Sequence, residues 1–288
     1  MKLALILLTF FFACQTGMAQ LDFQKAMDTT HYGRNPAYGR YVNTRGFKMY
    51  YETYGQGEPL VIIHGNGGSI NNFLFQIPYF SAKYRVIIAD SRAHGKSVDF
   101  GDSLSYEMMT DDLNALLDTL QVKQANVIGW SDGGINGLLL AIRHPDKVKK
   151  LAVTGANLSP DAKAVDPWGY QWAKGMNDQA DSMLRAGKLD KDLKNQRKII
   201  HLLSYEPHIS LGQLSTIKCP TLVIGGDHDV ILPEHTMLIA RNIPQSYLWI
   251  LPNSGHSTPV YYRDDFNRVV DDFFNKPYRK IAGESVLQ

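Results

Sequence analysis

Residues 129–134 read Gly129-Trp130-Ser131-Asp132-Gly133-Gly134. The short apolar run 125–128 before this stretch predicts a strand, and the apolar residues after it predict a helix. A serine at such a turn is lifted above the end of the strand. Glycines flank it because larger side chains would collide with the neighbouring strand or helix. The stretch predicts that Ser131 is a catalytic nucleophile, with an ordinary glycine-rich turn as the alternative.

Apolar runs on both sides of this turn predict the other strands of a sheet. Most are short and continuously apolar, which is typical of strands buried on both faces. They span residues 60–63, 86–89, 125–130, 151–154 and 221–224, with a less regular run at 247–251 and an aromatic-rich antiparallel candidate at 47–54. Apolar residues at helical spacing, such as Leu113, Leu116, Leu117 and Leu120, predict helices between them. This alternation predicts an α/β fold in which a mostly parallel central sheet is flanked by helices.

The stretch 159–209 interrupts the alternation, because it contains no run of the buried-strand type. Two helices are predicted within it, at 168–185 and 190–203. An insertion at this point predicts a small helical cap over the carboxyl ends of the strands, where open α/β sheets bind their ligands. We expect the core to comprise 41–158 and 210–275, with an N-terminal strap at 20–40 and a C-terminal tail at 276–288.

The composition belongs to a globular protein, since 44% of the 288 residues are hydrophobic and 20% are charged. The 30 Lys and Arg against 28 Asp and Glu give a net charge of +2, so nothing favours a nucleic-acid partner. Two cysteines are too few for a disulfide scaffold or a four-cysteine zinc site. Neither nucleic-acid binding nor a cysteine-based framework is therefore expected. The serine, acid and histidine described below act on a small-molecule substrate and require no metal and no organic cofactor.

The N-terminus predicts export. A positively charged start is followed by a largely apolar run at 3–13, which is too short for a membrane span of about 20 residues. Small residues near position 18 favour cleavage before Gln20, so residues 1–19 are expected to be a signal peptide and the mature protein to be periplasmic or secreted, with no membrane span. Lipidation of Cys14 is the alternative, which the bulky Phe11-Phe12 pair suits poorly.

A second glycine-rich stretch, His64-Gly65-Asn66-Gly67-Gly68, directly follows the predicted strand 60–63. Glycines in such a loop let a backbone N–H approach the oxyanion that forms when a carbonyl is attacked. We expect the amides of Asn66 and Asp132 to form this oxyanion hole. A phosphate-binding glycine loop is the alternative interpretation. It would need the spacing G-x-G-x-x-G or G-x-x-x-x-G-K-[ST], and neither is present here.

An acid and a histidine follow the serine along the chain, each in a loop just past a predicted strand. The acid is Asp229, with Asp227 as the alternative, since an acid at a strand end can orient an imidazole. The histidine is His256. Their order, with Ser131 first, predicts a triad of nucleophile, acid and base. The cluster Asp227-His228-Asp229 could suggest a metal site, but such a site would need further ligands at recognisable spacing, and the sequence offers none.

With these motifs in place, the chain from about 41 to 274 resembles an α/β-hydrolase. The segment Asp90-Ser91-Arg92-Ala93-His94-Gly95-Lys96-Ser97 resembles the D-x-R-G-H-G-x-S loop of that family, with Ala93 in place of the usual glycine. Residues 129–138 and 154–157 are similar to the valacyclovirase (biphenyl hydrolase-like) branch. The resemblance implies a serine hydrolase, places the acid four residues before Pro233, as Asp229 is, and implies α-amino acid esters as a substrate class. Haloalkane dehalogenases also carry a His-Gly-Asn loop, but they need an aspartate where this chain has a serine.

Together these residues predict an enzyme that cleaves a small carboxylic ester, with α-amino acid esters as one candidate class, through an acyl-enzyme on Ser131. Lactonase, peptidase and carbon–carbon bond hydrolase activities use the same triad and stay open, as does a ligand receptor without catalysis. The side chain of Asp132 could contact a substrate amine or accept hydrogen bonds within the scaffold. Trp130, Trp168 and Trp172 are candidates for binding substrate, and packing within the cap is the alternative for the last two.

Overall fold

The computed structural model describes residues 18–187 and 191–287. Residues 1–17 of the predicted signal peptide, including Cys14, lie outside the described residues, and export stays a prediction. In the described part of the chain, no helix is both long enough and apolar enough to cross a membrane.

Eight strands form one sheet in the spatial order β1-β2-β4-β3-β5-β6-β7-β8. Their bounds are β1 Gly39–Thr44, β2 Phe47–Tyr54, β3 Glu58–Ile63, β4 Tyr84–Ala89, β5 Ala125–Trp130, β6 Val148–Thr154, β7 Thr221–Gly226 and β8 Ser246–Leu251. The pairs β1–β2 and β2–β4 are antiparallel, and all other neighbours are parallel. The predicted α/β fold with a mostly parallel central sheet is confirmed, whereas β1 was not predicted.

Helices connect the strands and cover both faces of the sheet. Their bounds are α1 Met18–Thr29, α2 Gln76–Ser81, α3 Tyr106–Thr119, α4 Asp132–Arg143, α5 Pro167–Arg185, α6 Lys191–Tyr205, α7 Leu211–Leu214, α8 Pro233–Asn242, α9 Thr258–Tyr261 and α10 Arg263–Asn275. Short 3-10 turns occupy Ile70–Phe73, Pro145–Lys147 and Gly283–Leu287.

The strands are buried because alternate residues contribute to two apolar layers, one on each face of the sheet. On β3, Val61 and Ile63 lie in the layer that includes residues of α3 and α4, whereas Leu60 and Ile62 lie in the layer that includes residues of α2 and α10. All four side chains are at most 2% exposed. Burial on both faces explains why these strands are continuously apolar in the sequence.

The N-terminal strap predicted at 20–40 contains regular structure that its sequence does not indicate. Helix α1 occupies its first part, and β1 begins at its end. Phe23 of α1 is 1% exposed and belongs to the same apolar layer as α2 and α10. Tertiary packing of this side chain stabilises a helix whose own amphipathic pattern is weak.

A buried carboxylate ties the strap to the sheet. Glu52, on β2, accepts hydrogen bonds from the backbone N–H groups of Gly33 and Asn35, at 2.8 and 3.0 Å. The hydroxyls of Tyr50 and Tyr54 donate to the same carboxylate at 2.7 Å each. Four donors compensate the cost of burying this charge, so the strap is fixed to the sheet through one side chain.

The turn at 90–97 is buried and rich in polar contacts. The carboxylate of Asp90 accepts two backbone N–H groups, at 2.9 and 2.7 Å. Arg92 donates two hydrogen bonds to Asp112, at 2.7 and 2.8 Å. Ala93 adopts a φ of 68°, the left-handed conformation that explains why glycine is usual at this position.

Helices α5 and α6 lie between β6 and β7, within the stretch predicted to form the cap. Helix α6 is attached to the core by polar side chains. Asn195 donates to the carbonyl of Ala93, and Lys198 donates to the carbonyl of Gly101. Lys198 also forms a buried ion pair with Asp99, with 2.8 Å between Nζ and Oδ2. These contacts hold α6 against loops at the carboxyl ends of the strands.

Candidate active site

The predicted nucleophile lies on a strained turn between β5 and α4. Ser131 has a φ of 58° and a ψ of −121°, a conformation that residues with a Cβ rarely adopt. A Cβ added at Gly129 would overlap the carbonyl oxygen of Gly133, and one added at Gly133 would overlap that of Ile63. Close packing of the strand and helix therefore requires these glycines, and the turn presents the serine hydroxyl beyond the end of β5.

Three side chains from the ends of different strands meet at this turn. Oγ of Ser131 lies 2.9 Å from Nε2 of His256, and Nδ1 of His256 lies 2.6 Å from Oδ1 of Asp229. Asp229 follows β7 and His256 follows β8, so the sheet brings together residues far apart in the chain. The carboxylate is fully buried and the imidazole is 12% exposed. This arrangement can take a proton from the serine and stabilise the imidazolium that results.

The charge of Asp229 controls the proton affinity of His256. The same carboxylate oxygen accepts the backbone N–H of Ile231 at 3.0 Å, which orients it towards the imidazole. Burial lowers the pKa of His256, but the charge and the hydrogen bond of Asp229, together with the charge of Asp132, outweigh burial and raise this pKa above its ordinary value. The imidazole is therefore a stronger base than burial alone would allow.

The alternative acid, Asp227, supports the histidine loop instead of contacting the histidine. Its carboxylate accepts the backbone N–H groups of Asn253 and Ser254, at 2.9 and 3.0 Å. The neighbouring His228 ring lies 2.8 Å from the same carboxylate. The hydrogen bond of His228 and these two amides lower the pKa of Asp227 to about 2. Among the described residues, no group of three or more His, Cys, Asp or Glu is arranged to hold a metal ion.

The loop after β3 lies against the nucleophile. A Cβ added at Gly65 would lie 3.0 Å from Cβ of Ser131, so a larger residue would crowd the nucleophile. Nε2 of His64 accepts the N–H of Ser91 at 2.9 Å, which leaves Nδ1 to donate to the carbonyl of Gly65 at 2.8 Å. Burial, and then the neighbouring His94, lowers the pKa of His64 to about 3, and burial lowers that of His94 to about 4. Both rings are neutral, and His64 connects the loop after β3 to the turn at 90–97.

The predicted oxyanion-hole residues are linked to each other by their side chains. Nδ2 of Asn66 donates to Oδ2 of Asp132 at 2.8 Å and to the carbonyl oxygen of Ile199, on the cap helix α6, at 3.0 Å. Within residues 18–187 and 191–287, the backbone N–H groups of Asn66 and Asp132 donate to no protein acceptor. Two backbone donors beside the serine are thus available for a developing oxyanion.

The carboxylate of Asp132 is bonded within the scaffold, although it also borders the cavity above the serine. Asp132 is 2% exposed, and Tyr106 of α3 supplies a second hydrogen-bond donor besides Asn66. Burial raises the pKa of Asp132 to about 6, against the lowering effect of these two donors. Contact of Asp132 with a substrate amine stays a prediction. Tyr106 belongs to no recognisable motif, so the sequence did not indicate its part in the site.

A cavity of about 740 Å³ opens above Ser131, and the cap forms part of its wall. Trp168 and Trp172 of α5 line it, with nearly parallel rings whose centroids are 6.4 Å apart. Besides Asp229, the wall carries the carboxylates of Asp132, Asp166, Glu206 and Asp227. No lysine or arginine of the described ranges lines the cavity. The space available to a substrate is therefore aromatic on the cap side and negatively charged.

The prediction that Trp130 binds substrate is wrong, because its side chain is buried elsewhere. Trp130 is 5% exposed and does not line the cavity. Its ring packs edge-to-face against Phe73, and its indole N–H donates to the carbonyl oxygen of His256 at 2.9 Å. The strand alternation places Trp130 in the same apolar layer as Ile128. It supports the backbone of the histidine loop from within the core.

Comparison with known proteins agrees with this architecture. Residues 58–195 match the family described as the alpha/beta hydrolase fold. The chain is 27% identical over 249 residues to the serine hydrolase BPHL of Mus musculus. The matched region covers 81% of this chain and 84% of that protein. It is 28% identical over 272 residues to the 2-hydroxymuconate semialdehyde hydrolase of Pseudomonas sp. (strain CF600), which covers 83% of this chain and 94% of that protein.

Solved structures show the same fold. The enol-lactonase from Burkholderia xenovorans LB400 superposes with a TM-score of 0.69 at 23% sequence identity, over 82% of this chain and 100% of that one. The predicted resemblance to α/β-hydrolases, and locally to the biphenyl hydrolase-like branch, is confirmed at these low identities.

Proposed function

We propose that this chain, a hydrolase with the α/β-hydrolase fold, cleaves small carboxylic esters through an acyl-enzyme on Ser131. The observation that carries the proposal is the relay from Ser131 through His256 to Asp229, with links of 2.9 and 2.6 Å, at the floor of a cavity of about 740 Å³. A serine hydroxyl hydrogen-bonded to an oriented imidazole is the general arrangement for nucleophilic attack on a carbonyl carbon.

In the first half of the reaction, Oγ of Ser131 attacks the ester carbonyl while Nε2 of His256 takes its proton. The negative charge that develops on the carbonyl oxygen is stabilised by the backbone N–H groups of Asn66 and Asp132. Collapse of the tetrahedral intermediate breaks the bond to the alcohol oxygen, which receives the proton from His256. The alcohol leaves and the acyl group stays on Ser131.

In the second half, water replaces the alcohol. His256 removes a proton from the water as its oxygen attacks the acyl carbon, and the same backbone N–H groups stabilise the second oxyanion. Collapse of this intermediate returns the proton to Oγ of Ser131 and releases the carboxylic acid. Asp229 holds the imidazole in one tautomer throughout and compensates its positive charge.

The cavity wall favours neutral or positively charged esters over substrates that carry a carboxylate. Asp132, Asp166 and Glu206 border the cavity, and no lysine or arginine of the described residues does. A substrate carboxylate would lose its hydration without gaining an opposite charge. The Pseudomonas relative is named for a substrate with a carboxylate, hydroxymuconate semialdehyde. A carbon–carbon bond hydrolase acting on such an acid is therefore disfavoured here, whereas α-amino acid esters fall within the favoured class.

The experiment that tests the proposal compares the parent protein with Ser131→Ala across short-chain, aryl, amino-acid and lactone esters. We expect hydrolysis of uncharged and cationic carboxylic esters, and a loss of about 10⁴- to 10⁶-fold in the variant. A fluorophosphonate probe should label the parent at Ser131 and leave the variant unlabelled. Activity within tenfold of the parent in the variant, or labelling at another residue, would contradict the nucleophile. Preferential hydrolysis of lactones would redirect the proposal to a lactonase with the same triad.

A further inference from the structure

The side chain of Asn66 joins three parts of the active site. An amide group has two N–H hydrogens, and both are engaged here. One is directed to Oδ2 of Asp132 at 2.8 Å and the other to the carbonyl oxygen of Ile199 at 3.0 Å. Asn66 is 9% exposed and Asp132 is 2% exposed, so little water competes for these bonds. The loop after β3, the first turn of α4 and the cap helix α6 are connected through this one side chain.

The backbone around Asn66 is rich in glycine, and one hydrogen bond, from the N–H of Gly68 to the carbonyl of Gly65 at 3.1 Å, closes its turn. Gly65 precedes it, and Gly67 and Gly68 follow it. Gly67 has a φ of 64°, and a Cβ added there would meet no atom of the described residues within 4 Å. Glycines leave the chain many accessible conformations. An oxyanion donor is effective only when it is already oriented before the reaction, because reorientation would cost part of the stabilisation.

Asp132, in contrast, is held firmly. Its backbone begins α4, and its carbonyl accepts Nδ2 of Asn136 at 3.0 Å. Tyr106 donates a hydrogen bond to its carboxylate beside that of Asn66. A hydrogen bond from an amide to a carboxylate is charge-assisted and stronger than one between neutral groups. The start of α4 therefore holds the side chain of Asn66, in the glycine-rich loop, through a buried and charge-assisted bond.

We propose that Asn66 and Asp132 are positioning residues whose side-chain hydrogen bond sets the geometry of the oxyanion hole. This inference rests on the proposed serine-hydrolase function. It assigns the carboxylate of Asp132 to the construction of the hole, so a substrate amine is not its partner. The backbone N–H groups of the same two residues contact the oxyanion, and their side chains orient them.

The test is a double-mutant cycle with Asn66→Ala, Asp132→Ala and the double variant, each assayed on an α-amino ester and on its des-amino analogue. Every variant keeps both backbone N–H groups, so only their orientation changes. We expect each single change to lower kcat on both esters by about 10- to 100-fold, somewhat less than removal of an oxyanion donor, with KM within about threefold. The double variant should be no slower than the slower single variant, because both changes break the same bond.

Asp132→Asn is the conservative variant that separates geometry from charge. It keeps a side-chain oxygen that can accept the bond from Asn66, so kcat on both esters should return to within about fivefold of the parent. A loss confined to the amino ester, in Asp132→Ala or in Asp132→Asn, would overturn the inference and make Asp132 an amine-binding residue. Additive losses in the double variant would also overturn it. If an alanine variant does not fold by circular dichroism, the two-ester comparison on Asp132→Asn decides alone.

Failure of the inference is distinguishable from failure of the proposed function. Hydrolysis that survives in Ser131→Ala contradicts the serine-hydrolase proposal whatever the Asn66 and Asp132 variants do. Loss of hydrolysis in Ser131→Ala, combined with unchanged kcat in both Asn66→Ala and Asp132→Ala, contradicts only the positioning role.

Discussion

Gly155 lies directly against the imidazole of His256. A Cβ added at Gly155 would lie 2.7 Å from Cε1 and 2.9 Å from Nδ1 of the ring, and 3.5 Å from Oδ2 of Asp229. Gly155 also has a φ of 64°, which disfavours any residue with a Cβ. Gly155 directly follows β6, a strand that contributes none of the three catalytic-triad candidates. The backbone at this point therefore packs against both His256 and Asp229.

The first prediction concerns this contact. In Gly155→Ala, the new methyl group should displace the imidazole from its position between Asp229 and Ser131. Small misplacements of reacting groups cost on the order of 10²-fold in rate, so kcat should fall by about that factor while KM changes little. Steady-state kinetics on one activated ester would measure this.

Gly175→Ala is the matched control for Gly155→Ala. Gly175 lies in the cap helix α5, and a Cβ added there would meet no atom within 4 Å. Its kcat should equal that of the parent. Comparable rates in Gly155→Ala and Gly175→Ala would show that the histidine adjusts to the added methyl group.

The second prediction concerns the pH dependence of the reaction. His256 must be neutral to act as a base, so kcat/KM should rise with pH through the pKa of His256 in the free enzyme. Burial lowers that pKa, but Asp229 and then Asp132 outweigh it, and the midpoint should lie above the ordinary value of about 6.5. Because the charge of Asp132 contributes, Asp132→Asn should move the midpoint to lower pH. A flat profile between about pH 5 and 9, under chemistry-limited conditions, would argue against His256 as the base.

The third prediction concerns the charge preference of the cavity. Glu206 lies just after α6 and borders the same cavity as Tyr106 and Asp132. Burial, then the charge of Asp132 and lastly that of Glu206 raise the pKa of Tyr106. Glu206→Gln should reduce the preference for a choline ester over its uncharged carbon isostere by roughly fivefold, or about 1 kcal/mol, since a partly solvated charge pair is worth little more. The ratio of kcat/KM for the two esters measures this preference.

Asp178→Asn controls for a general loss of negative charge from the cap. Asp178 lies on the same cap helix as Trp168 and Trp172, but it is exposed and does not line the cavity. The preference should stay unchanged in this variant. An equal effect of the two substitutions would mean that long-range attraction, and not a contact in the cavity, sets the preference.

The fourth prediction concerns stability in acid. His64 and His94 are buried and neutral. Burial, and then the neighbouring His94, lowers the pKa of His64 to about 3. Burial lowers the pKa of His94 to about 4. The unfolded chain binds protons at these residues below its ordinary pKa of about 6.5, whereas the folded chain does not until much lower pH. Each histidine should therefore reduce the free energy of unfolding by about 2 kcal/mol between pH 7 and pH 5. Full stabilisation is present above the unfolded pKa and is lost as the pH falls below it.

His94→Gln isolates this contribution from opposing ones. Burial raises the pKa values of Asp90 and Asp132, each to about 6, so these carboxyls stabilise the fold as the pH falls. Urea denaturation at pH 7 and at pH 5 measures how much the free energy of unfolding decreases between them. This decrease should be about 2 kcal/mol smaller for His94→Gln than for the parent. An equal decrease in both proteins would mean that His94 is not the residue that takes up a proton on unfolding.

The relay was predictable from the sequence because each of its members follows a strand. Ser131, Asp229 and His256 each lie just past a short apolar run, and the carboxyl ends of parallel strands meet at one edge of a sheet. The strands themselves were predictable because both faces are buried, which leaves a continuous apolar signal. The contacts agree with the assignment of Asp229 over Asp227. Asp229 contacts His256, whereas the carboxylate of Asp227 accepts a hydrogen bond from the backbone of the histidine loop.

The wall of the site was less predictable, because it depends on contacts between residues that share no motif. Tyr106 follows an ordinary helix cap, and Glu206 follows the last residue of a cap helix. Neither position carries a sequence signal that relates it to Ser131. For Trp130 the sequence signal was misleading. Its place beside the nucleophile suggested that it binds substrate, but the alternation of side chains along β5 directs it into the core. The side-chain bond between Asn66 and Asp132 likewise depends on how two loops meet.

The negative wall of the cavity has a consequence for the end of the catalytic cycle. In the proposed reaction, an uncharged ester becomes a carboxylic acid that is ionised at neutral pH, so the molecule that leaves carries a charge that the molecule that entered did not. Asp132, Asp166 and Glu206 then repel what they had tolerated, and no lysine or arginine of the described chain retains it. We therefore expect departure of the acid to be favoured over its rebinding, so that the charge created by the proposed reaction helps to empty the cavity for the next ester.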